Sequence, residues 1–268
     1  MKVRDFLQTH PVFRIEEFRA FRDGTGSRNQ RTHKAILNHY MKTGRLVRVR
    51  SHVYAVVPYG QSPQDVQPDP FIIASRITSD SVLAYHTALE VYGKAYSSSR
   101  DFLFLTQEGV RLAMFKNYRF RGLSVPSALV RQGCEQFGVV TVDRFGLSIK
   151  VTSLERTLVD VLARPGLGGG WEEIWRSLEM VEHLDLDQVV NYALLLGKAA
   201  KIARVGFYLE QHAQRLMVDD TNLEKLRAHA PKVPIYFDRR LADDVRLLPR
   251  WNLIVPQHIL NRAREEPR

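Results

Sequence analysis

Cys134 is the only cysteine among the 268 residues. Its solitude excludes an internal disulfide framework and any zinc site built mainly on thiolates. No apolar run approaches the roughly eighteen residues that a membrane-spanning helix requires. The opening stretch MKVRDFLQTHPVF holds no continuous apolar segment of the kind that serves as a secretory signal. The nine histidines are scattered, with no His-x-x-x-His or His-Glu-x-x-His spacing, so no metal site is expected. A Gly-x-Ser-x-Gly elbow is missing too, and Gly26-Ser27 lacks the nearby paired aspartates that would hold two metal ions for nucleotidyl transfer. Cys134 has no nameable base beside it, which favours an incidental thiol over a nucleophile. The expectation is a soluble, cytoplasmic protein that is not an enzyme, needs no cofactor and has no membrane partner.

Acidic residues are scarce in one place. Residues 1–57 carry 12 Lys/Arg and only 4 Asp/Glu, a local charge of +8, while the other 211 residues net +2 out of a total of +10. A basic segment joined to a nearly neutral body is the electrostatic footprint of a nucleic-acid-binding module. A solvated basic surface kept for solubility does not explain the confinement.

The hydrophobic spacing supports this. Val3, Phe6 and Leu7 predict a short helix ending near His10-Pro11, and Ile15, Phe18 and Phe21 predict a second one that Asp23-Gly-Thr-Gly26 breaks. Ser27 is placed to cap a third, with Ile36, Leu37, Tyr40 and Met41 facing inward and Gly44 as its stop. The first turns of that helix bring Arg28, Asn29, Gln30, Arg31, His33 and Lys34, side chains suited to guanine or adenine edges and to phosphates. After Gly44, Val47 and Val49 alternate with Arg48 and Arg50, then Ser51-His52 turns the chain into Val53–Val57. Arg48 and Arg50, with Lys42 and Arg45 at the helix exit, are expected to pair with phosphates of double-stranded DNA. Three helices and a basic hairpin predict a winged helix-turn-helix whose third helix enters the major groove.

PYGQSPQDVQPDP, from residue 58 to 70, holds four prolines and reads as an extended linker. Beyond it the pattern predicts helices at 70–78, 81–92 and 153–163 and strands near 102–106, 116–121, 137–142 and 147–151. Past the glycines at 166–170 it predicts a mainly helical region at 171–182, 186–197, 201–216 and 221–228. The expected fold class is α+β. A winged helix-turn-helix over 1–57 and a proline-rich linker over 58–70 precede a mixed α/β domain with a helical C-terminal part over 71–268.

Ser153, Arg156 and Asp160, with Glu155 and Thr157, form the most suggestive polar cluster of that domain. Helix capping by Thr152 or Ser153 and an Arg156–Asp160 ion pair at i,i+4 account for every member. The competing reading is a surface that senses a phosphate or a partner. Gly166–Trp171 leads into a helix, a place where phosphate binds, but lacks the Lys and Ser/Thr of a P-loop and follows no clear strand. A hinge or helix-start loop is the simpler reading.

The run Lys42–Pro58 resembles the wing of the AbiEi family of antitoxins and related regulators, through Gly44, Leu46, Arg48, Val49 and Tyr54. His52 stands where that wing has its turn glycine. Ser81–Gly93, Phe102–Thr106 and Val151–Asp160 are similar, in order and spacing, to further segments of the family, and Trp251–Pro256 to its closing segment. The resemblance implies a type IV antitoxin that binds promoter repeats, represses its own operon and counteracts a nucleotidyltransferase-type toxin, with or without touching it. The alternative is a stand-alone winged-helix regulator whose C-terminal domain senses a ligand or partner.

Overall fold

The structure, a computed structural model, describes residues 2–24, 26, 29–109, 112–241 and 243–265. Its fold is α+β, with three separate sheets. Contacts divide the chain into two compact units, the first made of residues 1–87, 99–124 and 139–151, the second of 88–98, 125–138 and 152–268. That division is not the expected one at 58–70.

The first unit begins with α1 (Val3–Thr9), β1 (Val12–Arg14), α2 (Ile15–Gly24), α3 (Gln30–Lys42), β2 (Leu46–Arg50) and β3 (Val53–Val56). The three strands form one sheet in the order β1-β3-β2, antiparallel throughout, with Phe13 opposite Tyr54. Aromatic rings fill the core: Phe6 lies edge-on to Phe13 and Phe18 at centroid distances of 5.2 and 5.5 Å, and Phe13 stacks on Tyr54 at 5.8 Å. Leu7, Ile15, Leu37 and Leu46 close it, with Ile36, Tyr40 and Met41 packed against its margin. So small a segment has few other apolar side chains, which is why large rings carry its burial.

The prolines of 58–70 do not loosen the chain. Val66 is buried, Pro63 packs on Gly44, and Lys116 Nζ donates to the carbonyls of Gln64 and Val66. Asp69 caps α4 (Pro70–Arg76), accepting from the amides of Phe71 (2.9 Å) and Ile72 (3.0 Å), and pairs with Arg144 at 2.7 Å. Across this strap Arg14 donates to the carbonyls of Arg76 and Ile77 at 3.0 and 3.1 Å, and Arg76 pairs with Glu17 at 3.1 Å. The expected extended linker is therefore a tethered segment, because proline's fixed φ suits a strap held by side chains as well as a free spacer.

The rest of the first unit is a six-stranded mixed sheet. Its strands are β4 (Val82–Leu83), β5 (Asp101–Thr106), β6 (Leu112–Phe115), β7 (Tyr118–Ser124), β8 (Val139–Arg144) and β9 (Leu147–Thr152), in the order β6-β7-β5-β4-β9-β8. Phe102 to Thr106 of β5 are all buried, as a central strand parallel to β7 and antiparallel to β4 requires. The expected helix at 81–92 is instead β4 followed by α5 (His86–Val91). Val82 and Leu83 are drawn into the sheet by pairing with Leu105 and Phe104, a tertiary preference that local periodicity does not carry.

The second unit holds α6 (Ser127–Arg131), α7 (Leu154–Ala163), α8 (Trp171–Glu179), α9 (Leu186–Leu196), α10 (Ala199–Gln211) and α11 (Asp220–Arg227). Asp185 caps α9 through the Gln188 amide at 3.0 Å, and Gly197 ends it at φ 62°. A sheet of β10 (Ile235–Tyr236), β11 (Val245–Leu248) and β12 (Leu253–Pro256) follows, with β12 in the middle, and then α12 (Gln257–Glu265). The expected helical C-terminal part is thus interrupted after α11 by this small sheet and resumes with α12. Trp251, fully buried, packs against Gly206 of α10, where any Cβ would collide with its ring, and donates its indole N–H to Glu210 at 2.7 Å. Among the described residues, no helix is long and apolar enough to cross a membrane.

Candidate nucleic-acid interface

α3 starts two residues later than the expected Ser27 cap would place it. Asn29 occupies the cap position and accepts from the Arg31 amide at 2.9 Å, so its carbonyl oxygen is engaged in the helix rather than free for a base. Ser27, Arg28 and the side chain of Gln30 lie outside what the structure describes. Downstream, the helix ends with the Arg45 amide on the Tyr40 carbonyl (2.9 Å) and the Gly44 amide on that of Met41 (3.1 Å), with Gly44 at φ 70°. This is a Schellman arrangement that only glycine enters without strain.

His33 is not at the surface. It is fully buried, edge-on to Phe18 at 6.2 Å, because a residue three and four places before Ile36 and Leu37 shares their inward face. His33 is therefore removed from the set of expected DNA contacts. The exposed stripe runs instead through Arg31, Lys34, Ala35, Asn38 and Lys42, with His39 beside it. Asn38 escaped the sequence reading, which stopped at the first two turns; counting the helical period onward from Arg31 and Lys34 reaches it.

The hairpin departs from strict alternation. Arg48 pairs with Tyr54 and Arg50 with Val53, so a bulge sits between the two arginines. As a result Leu46 and Val49, three apart, are the buried positions of β2, while Val47 is only partly covered. Arg48, beside the bulge, is exposed, and its guanidinium lies 5.8 Å from the Tyr54 ring centre. Arg45 is exposed and Arg50 partly so.

Three of the four acids of residues 1–57 are engaged elsewhere. Asp5 accepts from the Lys2 amide at 2.7 Å, Glu16 pairs with Arg14 at 3.2 Å, and Glu17 holds Arg76. Among the described residues, none of Arg31, Lys34, Lys42, Arg45, Arg48 and Arg50 has a carboxylate at ion-pair distance. The outward charge is thus uncompensated on α3 and the hairpin together.

His52 holds the hairpin turn at φ 69°, the left-handed region that glycine occupies most cheaply. Its carbonyl accepts from the Ile15 amide at 2.8 Å, tying the turn to α2. His52→Val is expected to cost about 1–2 kcal/mol, because a β-branched residue resists that φ, whereas His52→Gly leaves stability equal or higher. Urea melts of both variants check this, and equal melts for the two would contradict a left-handed turn.

The second polar cluster is interior. Ser153 caps α7 through the Arg156 amide at 3.3 Å, as the capping reading expected, and Arg156 and Asp160 are 1% and 2% exposed. Arg156 Nη1 donates to the carbonyls of Glu135 (3.2 Å) and Phe137 (2.5 Å), its Nε lies 3.5 Å from Asp160, and Tyr192 Oη donates to Asp160 at 2.8 Å. Burial pushes the Asp160 carboxyl upward, against the pull of the Arg156 charge and the Tyr192 hydroxyl. The sensing-surface reading fails for Arg156 and Asp160, since neither reaches solvent. No group of His, Cys, Asp and Glu able to hold a metal occurs among the described residues.

The chain is similar in fold to the RV2827C protein from Mycobacterium tuberculosis. Its crystal structure aligns at a TM-score of 0.61 and 16% identity, covering 98% of this chain and 93% of that one. At this identity the likeness speaks for the fold alone. No family model and no curated protein matches the chain.

Proposed function

We propose that the N-terminal segment is a winged helix-turn-helix and that the chain is a sequence-specific DNA-binding repressor acting by binding rather than catalysis. The observation that carries this reading is the outward stripe of uncompensated cations on α3, continued onto the hairpin. The order helix-strand-helix-helix-strand-strand, with β1 completing the hairpin sheet, supports it. In this reading α3 lies in the major groove with Arg31, Lys34 and Asn38 towards base edges, and the bulged hairpin sets Arg48 and Arg50 against phosphates. The resemblance along the wing and four later segments supports the fuller proposal. In it, the chain is an AbiEi-type antitoxin in the cytoplasm, repressing its own operon and counteracting a nucleotidyltransferase toxin.

Binding to a fragment from upstream of its own gene tests the first part. Affinity for that fragment should exceed affinity for random duplex by about a thousandfold or more. Equal affinity for both would remove the repressor reading. Rescue of growth when the chain is co-expressed with the neighbouring gene tests the second part. A neighbour that is harmless when expressed alone would leave a stand-alone regulator.

A further inference from the structure

α10 of the second unit begins without a side-chain cap, since Lys198 makes no capping hydrogen bond. The Lys198 carbonyl takes the amides of Lys201 (2.8 Å) and Ile202 (3.0 Å), and among the described residues those of Ala199 and Ala200 have no backbone acceptor. Ala200 and, one turn on, Arg204 line a cavity of about 790 Å³, a size typical of small-molecule sites. Arg239, Arg240, Tyr236 and Asp238 line its other side.

The charge of this cavity is unbalanced. Three arginines face one carboxylate, and Asp238 is already occupied by the Trp171 indole N–H (2.7 Å) and the Arg240 amide (3.0 Å). Arg204 is half-buried, with its guanidinium 5.8 Å from the Trp171 ring and 5.7 Å from that of Phe237; its Nε has no hydrogen-bond partner among the described residues. Burial lowers its affinity for the proton and Asp238 offsets this in part, so the guanidinium stays cationic in a poorly hydrated place. Lys201, one residue past Ala200, is depressed chiefly by burial; Asp160 pulls the other way, and the nearby charges of Arg164, Arg204 and Lys198 add to the depression.

Uncapped helix amides, the helix dipole and planar guanidinium donors together suit phosphate oxygens. Tyr236, 43% exposed at the same cavity, offers a flat face for a ring. We propose that this cavity binds a nucleotide, its phosphates on Arg204, Arg239, Arg240 and the start of α10, its base on Tyr236. The site is independent of the DNA-binding reading, since it lies wholly in the second unit.

Calorimetric titration of the full chain with ATP, GTP and inorganic pyrophosphate tests it. ATP or GTP should bind, and Arg239→Gln with Arg240→Gln, both at exposed positions, should weaken that binding about tenfold or more. Tyr236→Ala should weaken nucleotide binding severalfold and leave pyrophosphate unchanged, while Arg48→Gln changes neither. No heat with either nucleotide up to about 1 mM, or binding abolished by Arg48→Gln but not by the cavity variants, overturns the proposal. Pyrophosphate binding as tightly as ATP, with Tyr236→Ala silent, overturns the nucleotide assignment and leaves an inorganic anion site.

Discussion

Arg156→Met is expected to destabilise the protein by about 3–5 kcal/mol at neutral pH, the usual result of stranding one member of a buried ion pair. Asp160 would keep only the Tyr192 hydroxyl at 2.8 Å, and the carbonyls of Glu135 and Phe137 would lose their shared guanidinium donor. Gly138, whose Cα faces Arg156 so closely that a Cβ would press on it at 3.0 Å, would border the vacated space. The pH dependence follows from the direction of the Asp160 shift. Burial already raises its folded pKa, and removing Arg156 removes the main opposing pull, so it rises further. A carboxyl with a raised folded pKa contributes stability that is complete below its unfolded value and is lost as pH climbs through the folded one. The deficit of the variant should therefore be largest at neutral pH and shrink towards about pH 3, below the unfolded value of an aspartate, where the carboxyl is mostly protonated in the folded and the unfolded variant. Asp160→Leu added to Arg156→Met should recover much of the loss, since replacing both charges removes the stranded anion. Urea denaturation at both pH values measures all three; a deficit that grows on acidification would contradict the buried pair.

The part of the fold that was legible in the sequence is the part whose signal is local. Ile36, Leu37, Tyr40 and Met41 share one face by spacing alone, and α3 packs them on the aromatic core. Ser153 read as a cap because the residues after it are a helix-forming run, and it caps α7. What was not legible depends on distant pairing. β1 is only three residues long and exists because Val12 to Arg14 lie against Ala55 to Val53. β10 has two residues, parallel to Leu253 and Ile254 of β12, and β11 is mostly exposed, so neither shows a strand's alternation. The proline-rich strap illustrates the same limit: four prolines exclude helix, but nothing local says that Lys116 and Arg144 will hold the segment.

On α3, residue type grouped His33 with the outward-facing polar side chains, where the structure does not place it. His33 is polar, yet the helical period places it with Leu37, and the period governs. The hairpin arginines were legible as charges, whereas the bulge beside Arg48 depends on the register with Tyr54 and Val53. In the second unit the arginines of the cavity are far apart in sequence, at 204 and 239–240, and only the packing of α10 beside the β10 region gathers them.

Replacing Arg45, Arg48 and Arg50 together with glutamine is expected to lower DNA affinity about a hundredfold near physiological salt, and for all sequences alike. The estimate rests on counterion release: each lost phosphate contact removes about 0.9 from the slope of log affinity against log salt, so three remove ~2.7. These side chains are exposed or partly so and have no carboxylate partners among the described residues, so the fold should lose little with them. Arg31→Ala should behave differently. It stands at the start of α3, its amide fixed by the Asn29 cap and its side chain exposed, so its loss should cost about 1–3 kcal/mol on the preferred site and less on random duplex. Fluorescence anisotropy at several salt concentrations separates the two patterns. A hairpin variant with an unchanged salt slope would show that the wing does not touch phosphate. An Arg31 variant with an unchanged specificity ratio would show that α3 reads no base at that position, because a base contact and a phosphate contact differ in whether the loss depends on sequence.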